Sequence, residues 1–388
     1  MTLHASWLGT FACALIVGCA TTAGKPAHVA GHPSPLGDKV VIAYVFVGDR
    51  AIDPTNVPAE KLTHVNYAFA NIANGRVVEG FARDAENYAA LTSLRQRNAK
   101  LKVLVSVGGW TWSGGFSDVA LTPSSRRTFA ESAVAFLRKY DLDGLDVDWE
   151  YPGQKGLDNV HRPADRESYT ALLADLRAAL DVAGRADGRH YLLTSATQAA
   201  DEWLAHTEMG KVQASLDYVN LMAYDMFEES SDTITGHHAP LFTNPADPKR
   251  SSAATMIDHY IAAGVPPSKL VLGVPFYGHA WGHVPATGHG LYQPGRRPDT
   301  RIRASYGAIR DSLENRNGFV RYWDDRSAAP FLYNAERQIF ISYEDTQSIR
   351  AKGRYVVDHG LAGMMFWELG GDPKDELVDA MDEAMGRR

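Results

Sequence analysis

Carboxylate and apolar side chains alternate through residues 144–150 of the chain, Gly-Leu-Asp-Val-Asp-Trp-Glu. In a β-strand successive side chains point to opposite faces, so Asp146, Asp148 and Glu150 lie on one face. Burying three charges together costs several kcal/mol for each charge unless they are paired or share protons. The pattern is therefore typical of a strand that carries a chemical site. Asp143 has the opposite parity, which predicts a different role at the entrance of the strand.

The spacing of these carboxylates predicts different chemical roles for Asp148 and Glu150. Residues on one face of a strand lie about 6.6 Å apart, so Asp148 is a neighbour of Glu150. Like charges at this distance resist simultaneous ionisation, which raises the pKa of one of them. The last residue of the strand is the one nearest to a substrate. We therefore predict that Glu150 is a general acid and that Asp148 is its partner.

Eight apolar or β-branched runs follow residue 38, with helical patterns between many of them. Most runs are continuous rather than alternating, as expected of parallel strands that are covered on both faces. The runs lie near 39–47, 63–71, 102–107, 143–150, 191–197, 216–224, 269–275 and 361–367. This order predicts an α/β fold, a (β/α)8 TIM barrel. A doubly wound sheet is the alternative, but no Gly-x-Gly-x-x-Gly follows the first run.

The gap before the eighth run is much longer than the other gaps. It predicts a small α+β insertion between strands seven and eight, at about residues 279–338, within a barrel domain of residues 38–388. Catalytic groups of such barrels gather at the C-terminal ends of the strands. Glu150 closes the fourth run, so it lies where a catalytic residue is expected.

An apolar stretch near the amino terminus ends in Ile16-Val-Gly-Cys19, which resembles the bacterial lipobox. This likeness implies a lipoprotein-type signal peptide over residues 1–18 and lipidation of Cys19, followed by a flexible tether over 19–37. The segment before the apolar stretch carries His4 but no Lys or Arg. The protein is expected to be exported and lipid-anchored to the cell envelope, at the outer membrane or cell surface, or otherwise secreted.

Composition and motifs argue against several classes of function. The net charge of −7 leaves no basic excess to neutralise phosphates, which argues against a nucleic-acid partner. His237 and His238 are adjacent and point apart in either regular structure, and no His-Glu-x-x-His occurs. No Gly-x-Ser-x-Gly or nucleophilic cysteine motif is present. We expect a monomer whose site uses neither a metal nor another cofactor.

Aromatic and polar residues lie near the predicted strand ends, where a TIM barrel places its ligands. Gly108 and Gly109 close the third run, and glycines there permit close approach of a ligand. For Met222 and Trp110, packing in the core is an open alternative. The side chains predicted to bind a ligand around Glu150 are Tyr44, Trp110, Tyr151, Met222, Tyr224, Asp225, Tyr277, Trp281 and Trp367.

Together these motifs resemble glycoside hydrolase family 18, the chitinases. Residues 143–150 match the family's Asp-x-x-Asp-x-Asp-x-Glu signature, and Ser106-Val-Gly-Gly109-Trp matches its second motif. The likeness covers roughly residues 39–388. Further matching segments are His64–Ala70, Met222–Asp225 and Gly363–Glu368.

The resemblance implies a role for each residue of the site. Glu150 would protonate the glycosidic oxygen. Asp148 would orient the 2-acetamido group of the sugar, and Asp146 would pair with Asp148. The remaining implied roles are assistance at the acetamido group by Tyr224, contact with the sugar by Asp225, and the floor of the −1 subsite by Trp367.

The implied substrate is chitin or its β-1,4-linked N-acetylglucosamine oligomers. In this family the acetamido oxygen of the substrate is the nucleophile, which implies an oxazolinium intermediate and retention of configuration. Two alternatives stay open: an endo-β-N-acetylglucosaminidase acting on N-glycans, and a chitinase-like lectin, which typically lacks the acid that Glu150 supplies. One departure is that no tryptophan follows closely on Tyr44, so the likeness does not extend to the distal subsites.

Overall fold

The computed structural model describes residues 39–387, and eight parallel strands within it close into a barrel. Pairing of the first strand with both the second and the last closes the ring. The predicted TIM barrel is thereby confirmed. Its strands are β1 (Val40–Phe46), β2 (His64–Ala73) with its short antiparallel partner β3 (Arg76–Val78), β4 (Lys102–Gly108), β5 (Gly144–Asp148), β6 (Leu192–Gln198), β7 (Tyr218–Met222), β8 (Leu270–Pro275) and β13 (Gly363–Trp367).

Helices follow most of the strands and cover the outside of the barrel. Thr122 begins the helix Pro123–Lys139 (α3) with a capping box to Ser125, and Asp345 begins the helix Thr346–Asp358 (α9) in the same way. No helix among residues 39–387 combines the length and the apolar character that crossing a membrane requires. The helices are α1 (Asp84–Ser93), α2 (Phe116–Leu121), α3 (Pro123–Lys139), α4 (Asp165–Asp187), α5 (Asp201–Ala205), α6 (Met209–Val212), α7 (Ala253–Ala262), α8 (Tyr306–Ser312), α9 (Thr346–Asp358) and α10 (Glu376–Ala384).

A small antiparallel sheet lies between β8 and β13 in the chain. Its strands are β9 (His279–Trp281), β10 (Val320–Asp324), β11 (Ala329–Asn334) and β12 (Ile339–Ser342), in the order β10-β11-β12-β9. Ile309 of α8 packs with Phe319, Leu332 and Ile341 in an apolar cluster separate from the barrel core. The inserted segment thus combines a helix with a sheet. Its last strand ends at Ser342, beyond the boundary predicted at residue 338.

The apolar side chains of β5 and the residue after it anchor this strand to the helices. Leu145, Val147 and Trp149 are fully buried. The ring of Trp149 stacks on Phe116 of α2 at 5.3 Å and meets Tyr169 of α4 edge-on at 6.0 Å. Burial of three large apolar side chains on one face fixes the register, because a slip by one residue would turn them toward the carboxylate side.

The carboxylates of this segment lie on the opposite face, inside the barrel. Strand β5 ends at Asp148, so Glu150 lies two residues beyond the strand instead of closing it. The predicted alternation nevertheless continues through Trp149, which keeps Glu150 on the same side as Asp148. The signal peptide, the tether and Cys19 lie outside the described residues.

Candidate active site

Asp146 is the first of the three aligned carboxylates (the carboxylate stack), and hydrogen bonds hold it in place. It is fully buried, and its two oxygens accept four hydrogen bonds from side chains on four other strands of the barrel. The donors are Tyr44 Oη at 2.9 Å, Ser106 Oγ at 2.8 Å, Thr194 Oγ1 at 2.5 Å and Asn220 Nδ2 at 3.2 Å. Burial raises the pKa of Asp146, and these hydrogen bonds oppose the rise. Because its acceptor sites are occupied by other side chains, Asp146 acts on Asp148 through charge.

Asp148 is the least satisfied member of the stack. Its side chain is buried, and its Oδ1 has no hydrogen-bond partner among the described residues. Burial, followed by the charges of Glu150 and Asp146, raises the pKa of Asp148 well above its ordinary value. Asp148 Oδ1 is therefore free to accept a hydrogen bond from a ligand, and the raised pKa favours the protonated form of this carboxyl more than in an exposed aspartate.

Glu150 follows the strand and faces the cleft. Its pKa is raised to about 7, mainly by burial, and the negative charges of Asp225 and Glu228 act in the same direction. Its backbone nitrogen donates a 2.8 Å hydrogen bond to Ser113 Oγ, which in turn donates to Gly109 O at 2.9 Å. The loop after β4 thus fixes the backbone of Glu150, whose carboxyl group is still substantially protonated at neutral pH.

Two glycines at the end of β4 allow its backbone to pass close to Asp148 and Phe69. Gly108 has φ +103° and Gly109 has φ +74°, both in the region that favours glycine. The backbone nitrogen of Gly109 donates to Asp148 O at 2.7 Å. A Cβ on Gly108 would stand 2.3 Å from the same oxygen, and a Cβ on Gly109 would stand 2.5 Å from the ring of Phe69.

Gly108→Ala is expected to lower the free energy of unfolding by at least about 2 kcal/mol, because it adds both a backbone clash and a disfavoured φ. Denaturant unfolding measures the change. Gly114→Ala in the following loop is the matched control, since its Cβ would meet nothing closer than 3.9 Å. Equal stability of the two variants would contradict this account of the loop.

Asp143 lies at the opposite end of β5, as its parity predicts. Its carboxylate accepts from Val103 N at 2.8 Å, from Arg95 Nη2 at 2.7 Å and from Arg189 Nη2 at 2.6 Å. It ties the entrance of the strand to neighbouring elements and takes no part in the cleft.

A cleft of about 600 Å³ opens above the stack. Its wall brings together most of the predicted residues, namely Tyr44, Trp110, Asp148, Glu150, Tyr151, Met222, Tyr224, Asp225, Tyr277 and Trp367. Met222 and Trp110 both line the cleft, and Met222 also packs against an apolar cluster inside the barrel. Residues of the wall that the sequence did not single out are Phe69, Ala196, Gln198, Glu228, Ser230 and Arg297.

Trp281 is not part of this wall, so its prediction as a ligand-binding residue is wrong. The side chain is fully buried in β9, and its Nε1 donates to Asp232 O at 3.3 Å. Its ring packs against Phe340 of the inserted sheet at 5.9 Å. The aromatic residue after β8 that does reach the cleft is Tyr277.

Trp367 joins a row of aromatic rings that continues to the protein surface. It stacks on Phe69 at 5.4 Å with an angle of 19° and lies 5.9 Å from Phe46. Phe46 is 39% exposed and lies 6.0 Å from Phe81, which contacts Trp112 at 4.8 Å. Phe46 has the same parity as Tyr44 in β1, a signal that could have identified it.

Asp225 is held by a second polar cluster on the side of the inserted sheet. Tyr277 Oη donates to its carboxylate at 2.6 Å, and His279 Nε2 lies 2.8 Å from Oδ1. His279 Nδ1 contacts Glu229 Oε2 at 2.7 Å, and His238 Nδ1 lies 3.5 Å from Asp225. Sequence spacing could not find this cluster, because its members come from separate loops.

Within this cluster the pKa of His279 is raised and the pKa of Asp225 is lowered. Burial alone would lower the pKa of His279, but hydrogen bonds to Asp225 and Glu229 outweigh burial and raise it to about 10. Burial would raise the pKa of Asp225, and the two histidines instead lower it. Asp225 is thus a carboxylate at neutral pH, whereas the pKa of Asp148 is shifted in the opposite direction.

Comparison with known proteins agrees with this geometry. Residues 41–372 match the sequence profile of Glycosyl hydrolases family 18. Chitinase A1 of Niallia circulans is 41% identical over 85% of this chain, and the match spans 55% of the length of that enzyme.

Two solved structures share the architecture over nearly their whole length. A family 18 N-acetylglucosaminidase from Paenibacillus barengoltzii is 41% identical, with a TM-score of 0.81 over 89% of this chain and 99% of that one. A mutant of the class V chitinase from Nicotiana tobaccum, in complex with NAG4, is 29% identical, with a TM-score of 0.81 over 90% and 99%. The chain belongs to glycosyl hydrolase family 18.

Proposed function

We propose that the protein is a retaining glycoside hydrolase that cleaves β-1,4-linked N-acetylglucosamine in chitin or chitodextrins, with Glu150 as the general acid and base. The observation that carries the proposal is the pairing of Glu150, whose pKa is raised to about 7, with a buried Asp148 that keeps Oδ1 free. An acid of this kind can protonate a leaving oxygen at neutral pH. A free buried acceptor beside it suits the N–H of an acetamido group.

The first step breaks the glycosidic bond. Glu150 gives its proton to the glycosidic oxygen as the bond from that oxygen to C1 breaks, and the acetamido oxygen of the same sugar forms a new bond to C1. The product is a positively charged oxazolinium ring. Asp148, in its ionised form, accepts a hydrogen bond from the acetamido N–H, and its negative charge stabilises the positive charge of the ring.

The second step uses the same carboxylate as a base. Glu150 takes a proton from water, the water oxygen bonds to C1, and the oxazolinium ring opens to restore the acetamido group. Two displacements at C1 leave the β configuration unchanged. The chemistry requires no metal or other cofactor, and all of its groups come from one chain, so a monomer suffices.

The named activities of similar proteins and the shape of the cleft support this substrate. Chitinase A1 carries the activity in its name, and the class V chitinase was solved with NAG4. Trp367 offers a flat apolar floor beside Glu150, and the aromatic row through Phe46 and Phe81 extends that surface. A surface of this length suits a chain of several sugar rings.

A product time course tests the proposal against its alternatives. Chitohexaose should be cut, while cellohexaose, which has no acetamido group, and a high-mannose glycopeptide should not. Cleavage of cellohexaose would refute substrate assistance. Preferred cleavage of the glycopeptide would instead identify an endo-β-N-acetylglucosaminidase, and binding without any cleavage would identify a lectin.

The pH dependence of the reaction should follow Glu150. Because the acid must be protonated, kcat/KM should fall as the pH rises through about 7, by about tenfold for each further pH unit. Glu228→Gln removes a negative charge that raises the pKa of Glu150, so the fall should begin at lower pH in this variant. A rate that stays constant well above neutral pH would contradict the assignment.

An exo-acting N-acetylglucosaminidase is the second candidate. It is favoured by the similarity to the N-acetylglucosaminidase from Paenibacillus barengoltzii, which is matched over 99% of its chain at 41% identity. The chitohexaose time course separates the two candidates. Early release of the monomer together with the pentamer would favour exo action, whereas an early mixture of dimers, trimers and tetramers would favour a chitinase.

The amino-terminal segment is proposed to export the protein and to anchor it through a lipid on Cys19. The support is the lipobox-like sequence that ends at this residue. Cys19→Ala should move the protein from the membrane fraction to the soluble fraction on cell lysis. An unchanged distribution would count against lipidation.

A further inference from the structure

Three side chains on one wall of the cleft place metal-binding atoms close together. Asp225 Oδ1 lies 2.8 Å from His279 Nε2 and 3.5 Å from His238 Nδ1. All three atoms lie within 4.8 Å of one another. One carboxylate and two imidazoles form a donor set that suits zinc and other divalent first-row metals.

His238 is the member whose surroundings point to a ligand. Its side chain is fully buried, and neither ring nitrogen has a hydrogen-bond partner within the described part of the chain. Leaving a buried polar group unpaired costs about 1–3 kcal/mol. The Nδ1 atom faces Asp225, so a metal held by that carboxylate would satisfy it.

His279 is already oriented as metal-binding histidines are, and a metal ion at Nε2 would replace the proton that this nitrogen directs at Asp225. One ring nitrogen faces Asp225, and the other contacts Glu229 Oε2 at 2.7 Å. A carboxylate behind a histidine ligand fixes the direction of the ring and strengthens the metal bond. This arrangement is in place without any movement of the backbone.

The distances suit a small ion after modest side-chain adjustment. Ligand atoms about 2.0–2.2 Å from a tetrahedral zinc stand about 3.4 Å apart. Asp225 Oδ1 lies 2.8 Å from His279 Nε2, which is below this value, and 3.5 Å from His238 Nδ1, which is slightly above it. Binding of the ion would therefore draw His238 inward and let His279 move back. The fourth position would face the cleft, which Asp225 lines.

We infer that Asp225, His238 and His279 form a binding site for a divalent transition metal such as Zn²⁺, and that its occupancy inhibits the enzyme. The inhibition part rests on the proposed function and on the contact with the sugar that the family resemblance implies for Asp225. A bound ion would take that carboxylate away from the substrate. Metal binding itself does not depend on the reaction.

Isothermal titration with Zn²⁺ and the visible absorption of bound Co²⁺ test the site on the full chain. The wild-type protein should bind one equivalent of Zn²⁺ more than either His238→Ala or His279→Ala. His190→Ala is the matched control, because His190 is exposed at the other end of the barrel, where it pairs with Asp217. Glu229→Gln should weaken Zn²⁺ binding by about 10-fold or more.

Equal Zn²⁺ uptake by the wild-type protein and both cleft variants would overturn the inference, as would no uptake by the wild type. Circular dichroism checks that each variant is folded, and the two histidine variants serve as tests of one another. Zn²⁺ should also inhibit hydrolysis of chitohexaose, and a chelator should restore it. Uptake of Zn²⁺ by a protein that cuts no glycan would refute the proposed function and leave the metal site standing.

Discussion

Glu150→Gln is expected to lower kcat on chito-oligosaccharides by about 10²- to 10⁴-fold while the substrate still binds. Glutamine has almost the same shape as glutamate but has no proton that it can give to the leaving oxygen. Initial rates measure the loss of turnover, and titration with chitotetraose measures binding. A loss of binding equal to the loss of rate would show that the residue serves affinity and not proton transfer.

Glu202→Gln is the control for this variant, since Glu202 is exposed on α5. It should leave both rate and binding unchanged. A near-normal rate in Glu150→Gln would remove the general acid from the mechanism.

The stability of Glu150→Gln should change with pH in a defined direction. The pKa of Glu150 is raised by burial to about 7, so the folded protein holds this proton more tightly than the unfolded chain does. The stability that this provides is fully present below the ordinary glutamate pKa and is lost as the pH rises through about 7. The glutamine variant should therefore gain Tm relative to the wild type between about pH 5 and pH 8.

Asp148→Asn is expected to lower kcat by about 10²- to 10³-fold and to leave the fold intact. An asparagine can accept a hydrogen bond from the acetamido group, but it cannot become negative beside the oxazolinium ring. The free protein should tolerate the change, because asparagine has nearly the same shape and Asp148 Oδ1 has no partner to lose among the described residues. Steady-state kinetics and thermal unfolding measure the two effects.

Asp146→Asn provides the contrast. Four donors point at the carboxylate of Asp146, and an amide nitrogen would face two of them. We therefore expect Asp146→Asn to lower Tm clearly more than Asp148→Asn does. A wild-type kcat in Asp148→Asn would contradict its role at the acetamido group.

Most residues of the site could be predicted from strand parity in the sequence alone. The alternation around Leu145 and Val147 predicts which side chains of β5 face inward, and apolar runs predict the barrel. Because parallel strands of a barrel end at one rim, residues at separate strand ends, such as Tyr224 and Trp367, could be placed together without a structure. Parity also predicts that Asp143 lies apart from the cleft.

Contacts between loops could not be predicted in the same way. The His238–Asp225–His279 cluster joins side chains from distant loops, and only the folded chain brings them together. Trp281 was misplaced because it belongs to a strand of the inserted sheet, where its side chain turns into the core. Glu228 and Arg297 lie in irregular segments, which have no periodicity to read.

The anomeric form of the first product tests the proposed mechanism most directly. Proton NMR of chitotetraose during the first minutes of hydrolysis can observe the new reducing end before mutarotation. Double displacement through the substrate's own acetamido group predicts that the β-anomer appears first. Initial formation of the α-anomer would mean direct attack by water at C1, and it would contradict the account of Glu150 and Asp148.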